Sequence, residues 1–107
     1  MSSATKWNIE HHGNALAKFL AGLRDEQYLF EAAALIEYLQ TSGNELRAPR
    51  SKSLGNGLFE LRGNQVRIFY VFRPGNRIVL LDGMLKKRTD IPDRMMRRLR
   101  RLQGEVQ

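Results

Sequence analysis

The stretch LFELRGNQVRIFYVFRPGNRIVLLDGML, residues 58–85, decides the fold. It divides into three apolar runs separated by two turn signals. Leu58 to Arg62 reads as a strand, Gly63-Asn64 as a turn, and Val66 to Phe72 as a second strand rich in β-branched and aromatic residues. Arg73-Pro74-Gly75-Asn76 is a second turn. Arg77 to Leu85 is a third strand, apolar enough to lie centrally in a sheet. Three strands joined by short turns are most simply an antiparallel meander. Side chains alternate across a strand, so Arg67 and Phe69 share one face while Ile68 and Tyr70 share the other. In the first strand Glu60 and Arg62 oppose Phe59 and Leu61. That pattern predicts a sheet with one buried and one polar face.

Upstream, the period changes from two to that of a helix. Ala15, Leu16, Phe19, Leu20 and Leu23 form one stripe, with Asn14 as a candidate N-cap. A break at Arg24-Asp25 precedes a second helix from about Glu26 to Gln40. Its stripe is Tyr28, Leu29, Ala32, Leu35, Ile36 and Leu39, and Gly43 suits its end. Residues 5–10 can form a short strand with Trp7 and Ile9 on one face. The segment Ala48 to Ser53 reads as a basic connector. Downstream, Asp93 to about Gln103 reads as a last helix, with Pro92 near its start and Met95, Met96, Leu99 and Leu102 as its buried side. The expected fold class is α+β: a small twisted antiparallel sheet packed with an N-terminal helical hairpin and a C-terminal helix, the helices on one side. Length predicts a single domain over residues 1–107.

Composition narrows the partner. The formal net charge is +7, from 18 Lys+Arg against 11 Asp+Glu. From Lys86 to Arg101 there are eight basic residues and two acidic ones, so the excess is concentrated late in the chain. A polyanion, nucleic acid above all, is the expected partner. There is no cysteine, which removes disulfides and thiolate metal sites. No apolar run approaches the ~20 residues of a membrane span, and MSSATKWNIEHH lacks the apolar core of a signal peptide. A cytoplasmic protein without membrane contact is expected.

Candidate chemistry lies in the hairpin. Arg62 and Arg67 flank the Gly63-Asn64 turn and can approach each other across it. Two guanidinium groups on one surface make a phosphate clamp, since each offers planar paired donors. The alternative is an ion pair between Arg67 and Glu60 across the strands. Lys86-Lys87-Arg88 follows the third strand, and alternation turns one of the two lysines toward the arginines. On the last helix Arg94, Arg97, Arg98 and Arg101 recur at i, i+3, i+4, i+7 and make one cationic face. His11 and His12 are adjacent and so do not share a face. With no further histidine or cysteine they complete no metal site. Gly55-Asn56-Gly57 reads as a tight turn and not a phosphate loop.

The order of these pieces resembles HigB-type toxins of the RelE/ParE superfamily, including their phage-derived group. The resemblance is carried by Lys52 and Leu54, then Gly57 to Arg62, then Val66 to Tyr70, then Ile78 to Lys87, with Thr89 and Pro92 behind. It implies the toxin of a type II toxin–antitoxin system, with a RelE-like fold and endonucleolytic cleavage of mRNA, often on the ribosome. It implies attack by a ribose 2′-OH on the adjacent phosphate, with no metal and no cofactor. The implied catalytic residues are Arg62, Arg67 and Lys86 or Lys87. Arg67 would stabilise the phosphorane-like charge, Arg62 would orient the phosphate, and a lysine would hold the leaving side or move a proton. A lysine acting as base would need its pKa lowered by its cationic neighbours. Lys52, Arg50, Arg88, Arg94 and Arg98 would bind the RNA elsewhere. The implied partners are mRNA, the ribosome and a helix-turn-helix antitoxin. The region after Thr89 lacks the tyrosine or histidine that some relatives carry. A ParE-like inhibitor of gyrase and a non-catalytic RNA-binding module are the alternatives.

Overall fold

The computed structural model describes residues 7–86 and 90–107. Its elements are β1 (Asn8–His11), α1 (Ala15–Ala21), α2 (Glu26–Ser42), a 3-10 turn (Gly43–Glu45), β2 (Ser51–Gly55), β3 (Leu58–Arg62), β4 (Val66–Arg73), β5 (Arg77–Leu85) and α3 (Asp93–Val106). The strands form one sheet in the order β1-β5-β4-β3-β2. The expected meander is its centre: β3 pairs antiparallel with β4, and β4 with β5.

The sheet is larger and more mixed than the expected one. The connector continues into β2, an edge strand paired antiparallel with β3. Ser-Lys-Ser-Leu-Gly has little strand propensity, so pairing with the strong β3 imposes the extended form. β1 adds to the other edge and runs parallel to β5, with Ile9 opposite Ile78. An exposed bidentate pair fixes that edge: Arg77 Nε and Nη2 donate to Glu10 at 2.6 and 2.9 Å.

The helices also lie differently from expectation. α1 and α2 cover one face, where Leu16, Ala32, Leu35 and Leu39 pack on Leu61, Ile68, Tyr70, Ile78 and Leu80, with Trp7 and Ile9 at the margin. α3 covers the opposite face, where Leu99 and Leu102 pack on Leu58, Phe69, Val71, Val79 and Leu81. The helices therefore stand on both sides, and the expected polar face is half covered. An amphipathic stripe states that a helix buries one side, without stating against which face of the sheet.

Local chemistry sets the element ends. Asp25 caps α2, its carboxylate accepting the Gln27 N–H at 2.9 Å. Asn14 precedes α1 but makes no side-chain cap. Gly43 ends α2 at φ +53°, where any Cβ would run into the Trp7 indole. A bulge in β5 inserts Leu81 between the partners of Phe69 and Tyr70. As a result Leu81 and Asp82 both turn toward α3.

Candidate functional site

The β3–β4 register places Arg62 directly opposite Arg67, and the β4–β5 register places Arg67 opposite Met84. One face of the sheet, the face on which α3 packs farther along, therefore carries Glu60, Arg62 and Arg67 together. Arg67 is only 6% exposed, and so is Glu60. Glu60 Oε2 lies 3.4 Å from Arg67 Nε, and its Oε1 lies 3.7 Å from Arg62 Nε. The ion pair weighed as an alternative to the clamp is thus present, and it is buried. Arg67 Nη1 also donates to the carbonyls of Gly63 and Val66. Burial pulls the Arg67 guanidinium below its ordinary value, opposed by Glu60, and the adjacent Arg62 pulls it down further.

Arg62 keeps 35% of its side chain exposed and stands at the rim. It exchanges bonds with the chain before β2: its N–H donates to the Arg50 carbonyl at 2.7 Å, and Arg50 Nη1 donates to the Arg62 carbonyl at 3.1 Å. The Arg50 guanidinium lies 5.9 Å from the centre of the Tyr38 ring on α2, at cation–π distance. Arg50, Arg62 and Arg67, with Pro49, Gly63 and Asn64, line one depression of about 280 Å³. Three guanidinium groups and one buried carboxylate leave that depression cationic. It suits a bound anion with planar donors on more than one side.

The family described as phage-derived protein Gp49-like (DUF891) matches residues 18–103. The chain belongs to this family. The matched span contains every residue of the depression. No curated protein matches the chain. Among solved structures, a chain of the toxin–antitoxin complex RelBE2 from Mycobacterium tuberculosis shares the fold at TM-score 0.57 and 18% identity. The match covers 75% of this chain and 98% of that one.

In this Gp49-like chain the remaining predicted residues divide. Lys52 is exposed on β2 and is the register partner of Glu60, so it shares that face. Lys86 is exposed just past β5, and its N–H donates to the Gln65 carbonyl at 2.6 Å. Alternation from Met84 puts Lys86 on the face of Arg67. Lys87 and Arg88, with Thr89, lie outside the described residues. Arg94 is exposed on α3 and lines no part of the depression. Arg98 is engaged internally: its Nε lies 3.2 Å from Oδ2 of buried Asp82, without the alignment of a hydrogen bond. Arg100 is engaged too, donating to the carbonyls of Leu54 and Gly55 at 2.8 and 2.9 Å. The two histidines stand apart from the arginines, His12 pairing with Glu105 at the other end of α3 at 2.6 Å. Among the described residues no group of His, Asp or Glu is placed to hold a metal. Among the described residues no helix is long and apolar enough to cross a membrane.

Proposed function

We propose that this Gp49-like protein is the toxin of a toxin–antitoxin pair and an endoribonuclease that cuts mRNA. The observation that carries the proposal is the depression shared by Arg50, Arg62 and Arg67, with Arg67 held in place before any phosphate arrives. In the proposed reaction the ribose 2′ oxygen attacks the adjacent phosphorus. Its proton passes to a base, the bond from phosphorus to the 5′ oxygen breaks, and that oxygen takes up a proton. The products are a 2′,3′-cyclic phosphate and a 5′-OH. Arg67 stabilises the charge on the equatorial oxygens, and a preorganised guanidinium does so without reorganising. Arg62 and Arg50 orient the phosphate from the rim. Lys86 or Lys87 supplies the mobile proton. The exposed Lys52 and Arg94 hold flanking phosphates. The nucleophile belongs to the substrate, so the chain's own groups supply orientation and charge.

The structural neighbour was solved in a complex with an antitoxin. A helix-turn-helix antitoxin encoded beside this gene is the proposed partner, and ribosome-bound mRNA in the cytoplasm is the proposed target. The test is expression with and without that neighbour, read by growth and by primer extension on cellular transcripts. Cut transcripts and arrest in its absence, both abolished by Arg67→Ala, are the expected result. Arrest and cutting that survive Arg67→Ala refute the site. Arrest with DNA damage signalling and intact mRNA moves the target to gyrase. RNA binding without cutting reduces the protein to a binding module.

A further inference from the structure

We propose that Glu31 of α2 is a positioning residue for Arg67, acting through the β3–β4 turn. Glu31 belongs to the helix on the opposite face of the sheet from Arg67. It does not line the arginine depression. Its carboxylate reaches past the sheet end to the turn. One oxygen, Oε2, accepts the N–H of Gln65 at 3.0 Å and the N–H of Val66 at 3.3 Å. The same turn presents the carbonyls of Gly63 and Val66 to Arg67 Nη1. The links therefore run from the Glu31 carboxylate to two turn N–H groups, then through the turn backbone to two carbonyls, and from these to one guanidinium.

Two further observations support a built connection. Gly63 has no Cβ, and one placed there would collide with the Glu31 carboxylate and meet Leu35 Cδ1 at 3.0 Å. The glycine is what lets the helix carboxylate come this close. On the far side Glu60 takes Arg67 Nε at 3.4 Å. Arg67 is thus gripped at Nε by a side chain and at Nη1 by a turn that α2 holds from behind. Without Glu31 the turn keeps its Gly63 N–H to Val66 carbonyl bond at 2.9 Å. It loses its tie to the helix, and both carbonyls facing Arg67 gain freedom. A displacement near 1 Å at a phosphate-binding group can cost ~100-fold in rate.

The effect on cleavage rests on the proposed role of Arg67, whereas the effect on its guanidinium does not. The test compares Glu31→Ala with Glu31→Gln, whose amide oxygen can still accept both N–H groups. The first readout is the NMR signal of the Arg67 Nε–H, assigned with Arg67→Lys. In the wild type and Glu31→Gln it is shifted from the free-arginine position and protected from exchange. In Glu31→Ala it moves toward the free position and loses protection. The second readout is cleavage of an mRNA bound to ribosomes. In Glu31→Ala kcat falls 10- to 100-fold with KM changed less than 3-fold, and Glu31→Gln stays within 3-fold of wild type. Should Glu31→Ala fail to fold, Glu31→Asp, one methylene too short to span to the turn, gives the same comparison. An Arg67 signal unmoved by loss of the carboxylate overturns the inference, and so does an equal loss in Glu31→Gln. If the signal responds as stated while the wild type cuts no RNA, the positioning stands and the nuclease reading falls.

Discussion

Replacing Glu60 by alanine isolates what the buried ion pair does. The Glu60 and Arg67 side chains are 8% and 7% exposed. Removing one partner of a buried pair strands the other charge, which typically costs about 3–5 kcal/mol. Two features set the lower end here. The Nε to Oε2 distance is 3.4 Å, longer than an optimal charge-assisted bond. Arg67 also keeps its Gly63 and Val66 carbonyls. Arg62, one-third exposed and 3.7 Å away, adds at most ~1 kcal/mol. The expected loss is about 3 kcal/mol. Urea unfolding followed by tryptophan fluorescence measures it as a midpoint shift of ~2 M at unchanged slope. Thermal unfolding shows a fall of roughly 12–24 °C. The double variant Glu60→Leu with Arg67→Met replaces both charges by apolar groups of similar size. It should recover to within ~1 kcal/mol of wild type, because no charge is left stranded. It should nevertheless fail to cut RNA. A Glu60→Ala midpoint within ~0.3 M of wild type refutes the burial of the Arg67 charge. A double variant as unstable as the single one assigns the loss to packing instead.

Asp82→Asn tests the same physics with the opposite expectation. Arg98 is 48% exposed and can turn to water, while an asparagine keeps the acceptor for the Gly83 N–H, so unfolding should shift by less than ~1 kcal/mol; a loss like that of Glu60→Ala contradicts it. Gly83→Ala should cost about 1–3 kcal/mol in the same assay, because a Cβ there lies 2.6 Å from Phe19 Cδ2 and α1 would have to move. Burial raises the Tyr70 phenol above its ordinary value, with the Ser51 hydroxyl at 2.9 Å opposing. A group with a raised folded pKa contributes stability that is whole below its unfolded pKa, here near 10.0, and is lost as pH rises through the folded value. Subtracting a Tyr70→Phe titration at 295 nm from that of wild type should leave one phenol ionising above pH 10; ionisation at or below that pH removes the effect.

What was legible in the sequence follows from how far apart the cooperating residues are. Alternation in β4 separated Arg67 and Phe69 from Ile68 and Tyr70, and the structure keeps that division. The Gly63-Asn64 turn was a local signal and held, and so did the α2 stripe except at Leu29, which is exposed. β1 was legible as a strand but its parallel partner was not, because the pairing of Asn8 with Arg77 leaves no trace in either segment alone. β2 was missed because an edge strand of Ser, Lys and Gly takes its form from its neighbour. The arginines could be placed near each other from the turn, but not the difference between them, Arg67 at 6% exposure and Arg62 at the rim, which only the folded chain around each decides. Glu31 carried no signal at all. A glutamate within a helix reads as a solvated charge until the fold brings a turn against it.

Under the proposed function the positive charge of this chain serves three different ends. Arg67 is fixed by one carboxylate and two carbonyls, so it costs no reorganisation to meet a developing charge and cannot move out to seek one. Glu60 already offsets one of the two hairpin arginines, so the formal charges of Glu60, Arg62 and Arg67 sum to a single positive one. That is a weak long-range attractor. Long-range attraction must come from side chains in water, and on this side of the sheet the exposed cations among the described residues include Lys52, Lys86 and the outward arginines of α3, Arg94, Arg97 and Arg101. Arg98 and Arg100 share that helix, yet one is weakly paired with Asp82 and the other donates to the end of β2, so Arg100 holds α3 on the sheet. A uniform cationic face cannot be read off the helix by counting. The arginines available to a polyanion, the one that anchors the helix and the one proposed to meet the phosphate are different residues, and only their partners tell them apart.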